Sequence, residues 1–363
     1  MKIDINKLIV KFNNEVVGYL ENVDNNKIAF QYDENWVRNG FSISPFSLPL
    51  NDEIYISNSS YFEGLFGVFY DSLPDGWGKY LVIKELAKKG INYERLNVLT
   101  KLSLVSKEMI GALSYEPNYY DEKEASPIKL DEIAININNL LVNQEEDNLN
   151  RLFLLGGASG GARPKINYKY ENENWIVKFK ALNDPSTIGL DEYKANMLAQ
   201  KAGININEYK LFDSKISSGY FAAKRFDIIN NEKIHVISLA AILETTHRIP
   251  NLDYNHFIQV ADKISIDKND VYEVFRRCAF NVLYGNKDDH SKNHSFIYDE
   301  EKKGYVLSKA YDITKTVDKF EHEITVNGSG NPTEEELFNL AKERNLDINK
   351  CILIIKKIRE VLS

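Results

Sequence analysis

Cysteine is nearly missing from these 363 residues: Cys278 and Cys351 are the only two. Two distant thiols make neither a disulfide framework nor a zinc knuckle. A basic excess is missing too, since 45 Lys+Arg against 53 Asp+Glu leave a net charge of −8. A chain that coated nucleic acid unaided would carry the opposite sign, so stand-alone DNA binding is disfavoured. No run of 18 uncharged apolar residues occurs, so no membrane-spanning helix is expected. The opening MKIDINKLIV breaks its apolar run with Asp4, Asn6 and Lys7 and so lacks a secretory core. The expected location is the cytoplasm. What remains is an ordinary globular composition, 43% hydrophobic and 27% charged. Its length exceeds what one core supports, so two lobes are expected.

Periodicity divides the chain. Leu8, Val10 and Phe12 alternate, Asn13-Asn14 can turn, and Val16 to Leu20 returns, which is a hairpin pattern. Lys27–Tyr32 and Glu53–Ile56 add strand-like pieces. Asp71-Ser72-Leu73-Pro74 then introduces a helix carrying Trp77, Leu81, Val82 and Leu86, closed by Gly90. Residues 116–127 and 143–150 are polar and read as exposed connections. From Leu152 to Phe179 the pattern reads strand, glycine-rich turn, strand, turn, strand. Asp191–Ala202 reads as a helix and Phe221–Phe226 as a strand, and from Ile237 the chain turns helical. Its clearest helix is Asp270–Tyr284, ended by Gly285. The expected domains are a β-rich N-terminal module (1–115), a β-rich lobe (116–235) and a helical lobe (236–363), with a hinge between Asp227 and Ser238.

Three segments carry chemistry. Gly156 to Lys165 (GGASGGARPK) packs four glycines into six residues, letting backbone N–H groups turn around an anion. Arg163 and Lys165 add positive charge at its exit. A Walker A loop is excluded, because G-x-x-x-x-G-K-S/T is absent. The segment fits a flap over phosphates, and a plain flexible turn is the alternative. Lys178, on the strand after it, stands where a kinase-type fold needs a lysine for the α- and β-phosphates. Asp288 and Asn293, five apart after a well-formed helix, have the spacing of a kinase catalytic loop, in which the Asp takes the hydroxyl proton and the Asn holds Mg²⁺. Asp312, beyond a predicted hairpin, is placed to complete Mg²⁺ binding. Asp289 reads as a loop-ordering acid. Calcium is discounted because the EF-hand register is absent, and zinc because His290 and His294 find no third ligand at zinc spacing. Flap, lysine strand, acid-bearing helix, hinge strand, helix, D-x-x-x-x-N loop, hairpin and Asp together follow the linear order of a protein-kinase-like fold. The expected class is therefore α+β, two-lobed.

With these residues in place, the chain resembles the HipA family of serine/threonine kinase toxins from type II toxin–antitoxin systems. The resemblance runs along Phe62 to Phe66, Asp71 to Gly78, Gly160 to Lys165, Ala223 to Asp227, Asn286 to Asn293 and Tyr311 to Ile313. It implies ATP and Mg²⁺ as cofactors, Asp288 as catalytic base, Asn293 and Asp312 as metal ligands, and Lys178 at the ATP phosphates. It places Ala158, Ser159, Gly160, Gly161, Ala162, Arg163 and Lys165 in the nucleotide loop, and His290 among the nucleotide-binding residues. Lys224, Arg225 and Phe226 fall at the adenine hinge, where contacts run through backbone groups. It also implies a regulatory phosphoserine in the loop. The usual serine aligns with Ala158, so Ser159 is the local candidate. The implied partners are a helix-turn-helix antitoxin resembling HipB, with DNA reached through it, and a protein substrate such as an aminoacyl-tRNA synthetase. A small-molecule kinase and an inactive, antitoxin-bound scaffold are the competing readings. Trp77 and its Leu-Pro turn are expected to do no more than pack.

Overall fold

The computed structural model describes residues 4–23, 27–57, 60–120, 129–144 and 147–363. The chain divides into two compact units, one of residues 1–190, 210–235 and 241–244, the other of 191–209, 236–240 and 245–363. The fold mixes sheets and helices in the protein-kinase-like arrangement that the motif order predicts.

In the first unit, the predicted N-terminal hairpin forms from Lys7–Phe12 and Glu15–Val23. Asn13 and Asn14 take φ of 44° and 74° at its turn, a left-handed conformation that asparagine tolerates better than most residues. The hairpin lies in a five-stranded antiparallel sheet completed by Lys27–Tyr32, Ile54–Ile56 and Leu113–Glu116. Phe12 meets Trp36 and Phe41 edge-on, and those two rings are tilted against each other, with ring centroids 5.3–5.6 Å apart.

A second sheet joins Lys165–Tyr170, Glu173–Lys178, Tyr220–Lys224 and Tyr209–Phe212 in that order. Against it packs the helix Gly76–Lys88, whose N-terminus Asp75 caps by accepting from the Gly76 N–H. Trp77, Leu81 and Val82 of that helix share one core with Ile133, Leu152, Trp175 and Val177. Residues expected in the N-terminal module and in the first lobe thus bury each other's apolar surface. The helix Leu130–Asn138, which sequence periodicity did not bring out, supplies Ile133 and Ile137 to this core.

One expectation fails here. Residues 149–156 form a helix, so the glycine-rich segment lies between a helix and a strand and not between two strands. Leu149, Leu152, Phe153 and Gly156 lie on its buried side, which is a helical spacing. The stretch 121–128 and residues 145–146 of the expected connections lie outside the described residues. The strand after Tyr220 ends at Lys224, short of the expected Phe226.

In the second unit the helices Tyr254–Ile264, Glu334–Glu343 and Ile348–Leu362 pack on the helix Asp270–Tyr284, and Tyr254–Ile264 also meets a small sheet of Val236–Ser238, Ser295–Asp299 and Gly304–Leu307. Gly285 closes the Asp270–Tyr284 helix at φ 84°, where only glycine is at ease, and its N–H returns to the Asn281 carbonyl. That turn launches the loop at 286–293.

Candidate active site

The loop is built on a buried chain of hydrogen bonds. Asn286 Nδ2 donates to Asn281 Oδ1 at 3.0 Å, Asn281 Nδ2 to the Tyr254 hydroxyl at 2.9 Å, and that hydroxyl to Asp289 Oδ2 at 2.9 Å. Asp289 also accepts from the Glu323 N–H at 3.1 Å and pairs with His322 Nδ1 at 3.2 Å. Its carboxylate orders the loop and, at 1% exposure, is closed to substrate. Asp288 points the other way, with its side chain 44% exposed. The carboxylate holds Lys319 at 2.5 Å, and Lys319 also holds Glu323 at 2.6 Å. Burial pulls the Lys319 ammonium down, but the hydrogen bonds to Asp288 and Glu323 outweigh it and raise its pKa.

Asn293 Nδ2 donates to the Asp288 main-chain oxygen at 2.8 Å. Asn293 and Asp312 line one small pocket, together with Asn286, Asp289, His294 and Arg277. Asp312 has φ of 54°, an uncommon conformation for a residue other than glycine. Tyr311 beside it is anchored, its hydroxyl bonding the Lys292 carbonyl at 2.8 Å and Ser295 Oγ at 2.6 Å. Strain of this kind persists where the surroundings over-determine the backbone. His290 is largely buried, lies with its ring tilted 5.2 Å from that of His247, and has its pKa lowered chiefly by burial. Burial takes His294 down to about 3, so it stays neutral.

The residues present suit magnesium. Every side-chain atom that Asn293 and Asp312 offer a metal is a hard oxygen, which is what Mg²⁺ takes. Asn286 Oδ1, buried at the same pocket, has no hydrogen-bond partner among the described residues and is a spare acceptor there.

In the first unit, the glycine segment forms a loop at 157–164, exposed at Gly160, Gly161 and Ala162. No neighbour stands within 4 Å of where a Gly160 Cβ would lie, and Gly161 has φ of 77°. The Ser159 N–H and Oγ both donate to the Gly156 carbonyl, at 3.0 and 2.6 Å. The loop rests on the Gly76–Lys88 helix, whose Trp77 N–H donates to the Gly161 carbonyl at 2.8 Å. A Cβ on Gly78 would stand 2.1 Å from the Ser159 oxygen, and one on Gly76 2.2 Å from the Gly161 oxygen. The Trp77 segment therefore does more than the packing expected of it: its two glycines are the seat of the loop.

Two findings give the family. Residues 157–363 match the HipA-like C-terminal domain and residues 8–116 the HipA N-terminal domain. The chain belongs to the HipA family. It is 28% identical over 210 residues to the putative kinase Y4dM of Sinorhizobium fredii, covering 52% of this chain. The chain spans about half the length of that curated relative. Its fold is similar to that of HipA from Shewanella oneidensis, solved in a complex of HipA, HipB and operator DNA. That similarity has a TM-score of 0.75 and 19% identity, over 98% of this chain and 88% of that one.

Within this HipA-family fold the remaining expected residues divide. Lys178 ends its strand opposite Lys165, with its ammonium 5.7 Å from the Phe221 ring centre. Lys165 is 8% exposed, with its ammonium turned beneath Gly161. Ala158 is half-buried inside the loop. Arg163 is engaged by Asp184, at 3.0 and 3.3 Å, so its charge is met at the loop's exit. Burial works against the Asp184 carboxylate, yet the Arg163 hydrogen bond and the Ala181 N–H keep its pKa lowered. Lys224 pairs with Glu173 at 2.8 Å, and Phe226 is half-buried.

Arg225 differs most from a residue waiting for a ligand. It is 3% exposed, bonds Asp227 through Nε and Nη2, and reaches the carbonyls of Glu108 and Met109 at 2.7 and 2.9 Å. Its own N–H donates to the Asn174 carbonyl at 2.8 Å. The side chain and N–H of Arg225 are thus consumed by the fold. Lys319, 31 positions after Asp288 in the sequence, was missed, since no local pattern links the two.

Proposed function

We propose that this protein is an ATP- and magnesium-dependent serine/threonine kinase acting as the toxin of a toxin–antitoxin pair. One observation carries the reading. An accessible Asp288 carboxylate is tied through its carbonyl to Asn293, and Asn293 shares a pocket with Asp312. When bound, magnesium–ATP supplies the phosphoryl group and neutralises charge on its oxygens. On the second unit, Asn293 and Asp312 would hold the metal, and His290 would border the nucleotide. Following the family resemblance, Lys178, Lys165, the loop at 157–164 and the backbone at Lys224–Phe226 are the other residues proposed to bind the nucleotide. The Asp288 carboxylate takes the proton of the acceptor hydroxyl, a step worth about 10²–10⁴-fold in general.

Ser159 is the proposed regulatory site. A phosphate there brings roughly −1.5 to −2 charges and requires Oγ to leave the Gly156 carbonyl, which unseats the loop. A helix-turn-helix antitoxin is the proposed partner, with DNA reached through it. The HipB in the similar Shewanella complex and the net charge of −8 both support this. The proposed target is a component of translation, such as an aminoacyl-tRNA synthetase, following the family resemblance. Among the described residues no helix is long and apolar enough to cross a membrane, and a cytoplasmic site is proposed. Incubating the purified chain with γ-labelled ATP and Mg²⁺ tests the reading. Label on the protein, lost in Asp288→Ala along with growth arrest, is the expected result; full activity in Asp288→Ala would overturn it.

A further inference from the structure

Asp288 is a short, partly exposed side chain on a loop, and a base must be held in one orientation to be effective. Among the described residues, the one hydrogen bond its carboxylate makes is to Lys319, through Oδ1 at 2.5 Å. Lys319 in turn is held by Glu323 Oε1 at 2.6 Å. The backbone around it is laced onto the catalytic loop. The Thr316 N–H donates to the Gly285 carbonyl at 3.0 Å, and the Lys287 N–H to Thr316 Oγ1 at 3.2 Å. Lys287 Nζ donates to the Phe320 carbonyl at 2.8 Å. The Glu323 N–H reaches Asp289 Oδ1 at 3.1 Å, which closes the lacing beyond Lys319. An exposed lysine on a free loop would wander, and an isolated surface pair would count for little. Here both ends of the strap are fixed, so the position of the ammonium is set by the fold.

We propose that Lys319 is the positioning residue of phosphoryl transfer. It holds Asp288 Oδ1 so that Oδ2 faces the acceptor hydroxyl. This rests on the kinase reading above. In the step it serves, the acceptor oxygen forms a bond to the γ-phosphorus and the bond from that phosphorus to the ADP oxygen breaks. The electron pair leaves with ADP, and the hydroxyl proton passes to Asp288 Oδ2. Loss of Lys319 frees the carboxylate to rotate without emptying the metal or nucleotide residues.

The experiment uses the full chain with labelled Mg–ATP, following self-labelling and ATP hydrolysis. Lys319→Ala is expected to lower kcat by about tenfold to a hundredfold, leaving the KM for ATP within about twofold. Lys319→Arg is expected to restore most of it. In a double-mutant cycle, Asp288→Ala/Lys319→Ala is expected to be no slower than Asp288→Ala alone, because Lys319 works through Asp288. Strictly multiplicative losses, failure of arginine to rescue, or a faster Lys319→Ala enzyme would each overturn the proposal. Should Lys319→Ala fail to fold, Lys319→Gln and Lys319→Arg carry the same comparison. Wild-type protein that transfers phosphate to no acceptor overturns the kinase reading itself. Transfer that is intact and indifferent to Lys319 overturns only the role given to this residue.

Discussion

Asn293 Nδ2 donates to the main-chain oxygen of Asp288 at 2.8 Å, so one hydrogen bond closes the five-residue span between the proposed base and the proposed metal ligand. The amide nitrogen is spent on that bond, which leaves Asn293 Oδ1 as the atom available for a cation. The side chain thus serves loop geometry with its nitrogen and, in the proposed kinase, would hold the metal with its oxygen.

Two substitutions separate those roles. Asn293→Ala strands a carbonyl in a largely buried loop and should cost about 1–3 kcal/mol of stability as well as Mg²⁺ response. Asp312→Asn tolerates the φ of 54° and removes only the charge, so it should lower the Mg²⁺ response with little change in stability. Calorimetry with a non-hydrolysable ATP analogue, with and without Mg²⁺, reads the first quantity, and urea unfolding the second. Equal Mg²⁺ enhancement in wild type and Asp312→Asn would remove Asp312 from the metal site.

The glycine loop offers a mutation far from it in sequence. Gly78→Ala places a Cβ 2.1 Å from the Ser159 carbonyl, a backbone atom that cannot yield without moving the loop. Nucleotide affinity should fall by about tenfold, some 1.4 kcal/mol. Gly90→Ala is the control for a clash-free substitution, because nothing stands within 4 Å of its added Cβ, although its φ of 71° is positive and that of Gly78 is not. If Gly78→Ala binds the analogue as tightly as the control does, the seat of the loop is not where its conformation is decided.

Much of this was legible in the sequence, for reasons that also explain what was not. The D-x-x-x-x-N loop is compact, and the Asp270–Tyr284 helix before it is strongly periodic, so both could be read locally. Asp289 could be told from Asp288 as the ordering acid, and the four groups that hold its carboxylate bear that out. The run from Leu152 reads as a strand because a short apolar run suits a strand or a helix equally, and the helix Leu149–Gly156 also takes in Leu149 and Asn150 from the expected polar connection. Gly76 and Gly78 gave no warning, since their reason is a loop some 80 positions away. Arg225 sits in a motif whose chemistry was inferred through resemblance, whereas its side chain answers to Asp227 and two distant carbonyls. Long-range partners of this kind leave no spacing to read.

That buried pair makes its own prediction. Arg225 and Asp227 are each about 1% exposed at the side chain, and Asp227 Oδ2 also accepts from the Gly111 N–H at 2.9 Å. Burial alone would raise the Asp227 carboxyl, but the Arg225 charge holds it low. Removing one partner of a buried pair strands the other, at about 3–5 kcal/mol. Asp227→Ala should therefore shift the urea midpoint markedly, and Arg225→Lys should also destabilise, since an ammonium cannot reproduce the fork. A shift below about 1 kcal/mol in Asp227→Ala would mean that water repairs the site.

Glu244 provides the pH-dependent term. Its carboxyl accepts the Gly67 N–H at 3.0 and 3.1 Å, yet burial outweighs that bond and pushes its pKa up to about 7 from the usual 4.5. A carboxyl raised on folding is favoured protonated in the native state. Its contribution is fully present below pH 4.5, is lost progressively as pH rises toward 7, and is absent above it. Glu244→Gln keeps an oxygen for the Gly67 N–H and cannot ionise. Relative to wild type it should be about 1–3 kcal/mol more stable at pH 8, with the advantage vanishing near pH 4. Thermal unfolding of both proteins across that range reads the difference directly, and it cancels every other titrating group common to the two. A gap that stays constant with pH would show that Glu244 ionises in the folded chain as readily as in the unfolded one.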